Sequence, residues 1–163
     1  MRRILGLMLV SILTLPATGQ GQEWTAEQQE LVDHLTAVWD EIDENNQETF
    51  SIWRETVQPA DDLVWWFTNQ GAPSDLKAIE KWHQWWGSRR GRYTYLNVRP
   101  VAVRIVDSVG MVWFWAFGEW TDQSGERHEW QDQRLELFRK TQDGWEFLGG
   151  MGAPVVPFKG DGG

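Results

Sequence analysis

The densest chemistry in the chain lies between residues 130 and 136, where Trp130, Asp132, Arg134 and Glu136 recur at every second position with Leu135 and Leu137 as their odd-numbered neighbours. Alternate residues of an extended strand share one face, so two carboxylates and a guanidinium stand in a single row. Two arrangements follow. On a solvated face the alternating charges only steady their neighbours. On a face turned into a cavity they are partly desolvated and shift one another's pKa values. Asp132 or Glu136 then abstracts a proton, and Arg134 stabilises the oxyanion that develops. His83 is the third catalytic candidate. It sits among Trp82, Trp85 and Trp86, where modest burial brings an imidazole across neutrality and lets it act as acid or base. The alternative for His83 is a packed or exposed histidine with no chemistry.

The remaining polar groups are less suggestive. His34 stands beside an apolar helical stripe. His128 opens a strand next to Glu129, with no second histidine at the spacing of a zinc-binding helix. Neither supports a metal site, and no metal or other cofactor is expected. With no cysteine in the chain, thiol nucleophiles, thiolate metal sites and disulfides are excluded. There is no Gly-x-Ser-x-Gly elbow, and Gly149 to Gly152 is not followed by the helix a phosphate loop requires. Asp61-Asp62 reads as a cap and turn. Ser88-Arg89-Arg90-Gly91-Arg92 is the only basic cluster in a chain of net charge −9, a balance that argues against a nucleic-acid partner.

Thirteen tryptophans in 163 residues are several-fold more than ordinary usage. Most belong to a core, since a soluble chain does not expose that much apolar surface. Trp66, Trp82, Trp86, Trp113, Trp115 and Trp130 are the candidates to wall a pocket for a small apolar or aromatic ligand, with Arg134 as its polar contact. Stacking on sugars is the competing use of such residues. Trp113, Trp115 and Phe117 share one parity, Phe114 and Trp120 the other. One of these faces is expected to line a cavity and the other to pack in a dimer.

The elements that must position these residues read as follows. Thr25 with Gln28 forms a capping box, and Leu31, Leu35, Val38, Trp39 and Ile42 make the stripe of a first helix. Phe50, Trp53 and Val57 mark a second helix, ended by Pro59. Leu63 to Thr68 reads as a buried strand, and Ser74 as the cap of a third helix closed by Gly87. Four long strands follow: Tyr93 to Val106, Met111 to Thr121, Arg127 to Thr141 and Trp145 to Met151. The apolar phase changes at Pro100, where a bulge absorbs one residue and the missing N–H. Short Asp- and Gly-bearing links make the four an antiparallel meander. Helices segregated to one side of such a sheet define an α+β domain.

Ahead of this domain, Met1-Arg2-Arg3, the apolar run Ile4 to Leu15 and the small residues after Pro16 have the order of a secretory signal peptide over residues 1–21. The mature domain then spans 22–155, and the Gly-rich stretch 156–163 reads as a flexible tail. The expected location is periplasmic or secreted, without a membrane anchor once the leader is cut.

The order of elements resembles the NTF2-like superfamily, and within it the SnoaL-like group. The likeness runs from Trp24 to about Pro154. It rests on the long first helix ending near Asp43, Asp61-Asp62 leading into Val64-Trp65-Trp66, the short helix after Gly71, and Phe138-Arg139-Lys140 followed by Gly144-Trp145-Glu146-Phe147-Leu148. It implies a cone in which three helices pack on a curved antiparallel sheet around one pocket, usually in a homodimer. Isomerase and dehydratase relatives place a carboxylate base in that cone. Many members also carry His-x-Ser near the end of the last strand, where this chain has Met151 and Ala153. The expectation that follows is an exported small-molecule-binding domain. Its alternatives are an isomerase, dehydratase or hydrolase of the same fold working by proton transfer, and a carbohydrate-binding module built on exposed Trp.

Overall fold

A computed structural model describes residues 23–45, 50–68, 71–87 and 90–155; residues 1–21, read above as a leader, and 156–163, read as a tail, lie outside them. The first helix, α1 (Ala26–Asn45), opens with the expected reciprocal cap. The Gln28 side chain accepts from the Thr25 N–H at 2.9 Å, and the Gln28 N–H donates to the Thr25 hydroxyl at 3.3 Å. Its apolar stripe is buried at Leu31, Leu35, Trp39 and Ile42, and each such burial contributes roughly 1.5–3 kcal/mol. After α2 (Phe50–Val57) the chain turns through Gln58 at φ 48 and starts β1 (Pro59–Phe67). Asp61 and Asp62 are exposed in β1, and Asp61 pairs with Arg54 at 3.4 Å.

The cap of α3 (Leu76–Gly87) is Asp75, not Ser74. The Asp75 carboxylate accepts the Ala78 N–H at 2.7 Å, while the Ser74 backbone makes a bridge to Trp65 in both directions, at 2.6 and 2.9 Å. A serine held by a strand is not available to cap the helix.

The sheet is completed by β2 (Arg90–Val106), β3 (Val109–Asp122), β4 (Arg127–Thr141) and β5 (Gly144–Pro154), in the order β1-β5-β4-β3-β2. The last four strands are antiparallel neighbours, as their hairpin links require. The sheet is nonetheless mixed, because β1 pairs with β5 in parallel. The chain crosses from β1 through α3 to the far edge. Three hairpins then return it, pointing the way β1 does. The bulge at Pro100 is present: Pro100 lies opposite Phe114 and Ala102 opposite Trp113, leaving Val101 unpaired. A second irregularity sits where Leu137 pairs with Gly149 and Phe138 with Phe147. There Gly149 and Gly150 adopt φ 117 and 156, a backbone open to glycine alone.

The inner face of β3 carries Val112, Phe114 and Ala116, all buried, and receives α1 closely enough that a Cβ on Gly110 would stand 2.4 Å from Leu31. Trp113, Trp115 and Phe117 point to the outer face. No described helix is long and apolar enough to cross a membrane.

Candidate functional site

Helices and inner sheet face line a cavity of about 490 Å³ that opens to solvent. The strand alternation of β4 decides its chemistry. Trp130, Asp132, Arg134, Glu136 and Phe138 all line it, while the odd-numbered residues of β4 face outward. The row of charges is therefore inside the cavity and not on a solvated face. Asp132 and Glu136 are 8% and 6% exposed.

Three groups share this space. The Arg134 guanidinium donates to Asp132 Oδ2 at 3.0 Å and stands 3.8 Å from Glu136 Oε1. Aromatic rings surround it, with Trp39 at 4.7 Å, Trp65 and Phe67 at 5.5 Å and Trp130 at 5.7 Å, so ring quadrupoles hold part of its charge. Its Nε makes no hydrogen bond among the described residues. Burial pushes the Glu136 carboxyl up to about 7, and the nearby Arg134 charge pulls against that rise without cancelling it. A carboxyl titrating there exchanges a proton readily at neutral pH.

His83 also lines the cavity and is buried. Its ring lies 5.2 Å from Trp53 and 5.1 Å from Trp82. All three catalytic candidates, Asp132, Glu136 and His83, thus face one space, together with Arg134, Trp82 and Trp130. The other ligand-binding candidates divide differently. Trp66, Trp113 and Trp115 do not line the cavity; Trp66 and Trp113 are 42% and 38% exposed on the outer sheet face. Trp86 belongs to α3, but its side chain lies outside the described ones.

In their place Trp39, Trp53, Trp65 and Trp120 form the aromatic walls. Strand alternation places two of these once the inner faces of β1 and β3 are known. Trp65 shares parity with Leu63, which is buried, and Trp120 shares parity with Phe114. Trp39 sat in a stripe that reads equally well as plain core. Met151 and Ala153, which replace the His-x-Ser pattern, do not line the cavity either, so that departure takes no polar group from it.

The other histidines have structural settings. His34 stacks edge-on to Phe138 at 5.7 Å, and burial, helped by Lys140, lowers its pKa. His128 stacks on Trp120 at 4.2 Å and lies 3.3 Å from Asp122 Oδ2. Asp122, Glu126 and His128 bring one ligand atom each within 4.8 Å of one another. Yet the Asp122 carboxylate already accepts from Ser124 and from the Glu126 N–H to close the β3–β4 turn. Those bonds hold its pKa well below the usual carboxylate range.

No protein-family model matches the sequence, and no curated protein matches it. Solved structures do match in shape. A ketosteroid isomerase-like protein from Erwinia carotovora atroseptica superposes with a TM-score of 0.64 at 14% identity, covering 82% of this chain and 100% of its own. An NTF2-like superfamily protein from Salmonella enterica serovar Typhimurium gives 0.64 at 11% identity, over 83% of this chain and 96% of that one. A candidate dehydratase of the NTF2-like family from Streptomyces avermitilis gives 0.60 at 15% identity, over 78% and 96%. The chain has the NTF2-like fold.

Proposed function

We propose that this chain is a proton-transfer enzyme acting on a flat, largely apolar carbonyl compound held in the cavity. The observation that carries the reading is the Asp132–Arg134–Glu136 row, buried in a space otherwise walled by aromatic and aliphatic side chains. The ionised Glu136 takes a proton from the carbon beside the carbonyl. The oxyanion so formed is stabilised by the Arg134 guanidinium, which Asp132 holds in place. Return of the proton at another carbon gives an isomerase. Loss of a leaving group, with His83 supplying its proton, gives a dehydratase. Neighbours of both descriptions share the fold, and the finer resemblance to the SnoaL-like group accords with such a site. The leader sequence points to work outside the cytoplasm.

The test uses 2-tetralone, a flat apolar ketone with acidic α-hydrogens, in D₂O. The protein is expected to accelerate deuterium uptake, followed by proton NMR. A second reading, a binding protein without chemistry, is favoured by the large aromatic lining. Tight binding of 2-tetralone with no gain in exchange would select it.

The outer sheet face supports a homodimer. Trp66, Met151, Leu135 and Trp113 are successive cross-strand neighbours there, and three of the four are exposed. Such a continuous apolar belt marks an interface. Sedimentation is expected to give twice the chain mass, and Trp113→Glu to give monomers with unchanged far-ultraviolet circular dichroism. A monomeric wild type that binds glycans through Trp113 would hand this face to the carbohydrate reading.

A further inference from the structure

The outward side of α3 combines exposed indole rings with exposed basic side chains. Trp85 is 50% and Trp82 39% exposed, and Lys77, Lys81 and Trp85 follow one another at four-residue steps, so they form one exposed row along the helix. In the sequence, basic residues gather in and just after this helix. The stretch from 77 to 92 holds Lys77, Lys81, Arg89, Arg90 and Arg92 against one carboxylate, Glu80, in a chain of net charge −9. Arg90 and Arg92 stand at the first positions of β2, which begins just beyond the helix C-terminus. Basic side chains beside exposed indoles fit one kind of surface: the headgroup layer of an anionic bilayer, where lysine and arginine meet lipid phosphates and tryptophan lies at the boundary.

We propose that α3 docks this protein onto anionic phospholipid membranes, with Trp85 and Trp82 in the headgroup layer and Lys77 and Lys81 on lipid phosphates. The same helix lines the cavity through Ala78, Ile79, Trp82 and His83. Docking therefore places a wall of the apolar cavity at the lipid surface, and a water-insoluble ligand passes between bilayer and cavity without crossing bulk solvent. The charges elsewhere on this acidic chain repel such a membrane, which fixes the docked orientation to this side.

Delivery of a ligand rests on the cavity reading, but docking does not: vesicle binding reports α3 alone, and deuterium exchange on 2-tetralone reports the cavity alone. The protein is mixed with vesicles of phosphatidylcholine containing phosphatidylglycerol, or of phosphatidylcholine alone, and co-sedimented. Binding to the anionic vesicles only, lost with added salt, is expected. One basic residue near such a surface is worth about fivefold in affinity, so Lys77→Glu/Lys81→Glu is expected to weaken binding by more than about tenfold. Trp85→Ala is expected to weaken it also. Both changes fall on exposed positions, and circular dichroism confirms the fold. Absence of vesicle binding, equal binding to both vesicle types, or full binding by the two variants would each overturn the proposal. Retention on polyglutamate without vesicle binding would overturn it too, assigning the patch to an acidic protein.

Discussion

Glu136→Gln is expected to lower exchange on 2-tetralone by about 10²–10⁴-fold, the usual contribution of a positioned general base, with ligand affinity retained. The amide keeps the shape and loses the basicity. In the unaltered protein the rate should rise with pH through about 7, as the buried carboxyl ionises. Asp132→Asn is expected to act more weakly, through a loosened Arg134. Full exchange in Glu136→Gln together with loss in Asp132→Asn would move the base to Asp132; full exchange in both would remove the row from the chemistry.

The same substitution has a signature in stability. The Glu136 pKa is raised by burial from 4.5 to about 7, so between these values the folded chain holds a proton the unfolded chain has released. Stability therefore falls as pH rises across that window, by on the order of 3 kcal/mol once both states are ionised. Glutamine has no proton to lose. Glu136→Gln should resist urea better than the wild type at pH 8.5 and show little advantage at pH 5. A wild type whose urea midpoint does not drop across this window would mean that the carboxyl is not buried as described.

Gly149→Ala is expected to be among the most damaging single-atom additions to the chain. At φ 117 its backbone is strained for any L side chain, and a Cβ would fall 1.9 Å from the carbonyl oxygen of Val64. That oxygen belongs to the backbone of β1, so relief requires separating β1 from β5 and not merely rotating a side chain. The cost should exceed about 4 kcal/mol, the level reached only by core or backbone disruption. Gly71→Ala is the control. Nothing lies within 4 Å of the added methyl, and the effect should stay within about 0.5 kcal/mol. Urea midpoints measure both, and hydrogen exchange in β1 should collapse selectively if the variant still folds.

Much of this arrangement was legible in the residues, for identifiable reasons. The Thr25–Gln28 cap is a local exchange of hydrogen bonds and needs nothing distant. The bulge at Pro100 announced itself as a change of phase on either side of a residue that cannot donate. The charged row of β4 was visible as a period of two. Which way that row faced was not, because a solvated face and a cavity wall use the same alternation; the aromatic rings around Arg134, brought in from α1 and β1, decide it. The tryptophans were harder. Trp65 and Trp66 are adjacent and chemically identical, and only the pairing of β1 with β5 selects which one turns inward. On β3 both parities are aromatic, so hydrophobicity alone has no preference between Trp113 and Trp120. The parallel β1–β5 pairing itself leaves no local trace, since it joins segments separated by most of the domain.

That pairing sets an order of events. Partners such as Pro59 and Phe147 or Phe67 and Gly152 meet only after the intervening chain has been made and folded back. Contacts of such long sequence separation slow folding, because loop closure must precede any gain from them. Until β5 is present, β1 lacks its partner strand and the cavity wall lacks Phe147. The domain is thus kept from its final form until β5 has been made, a delay that would suit the export proposed above.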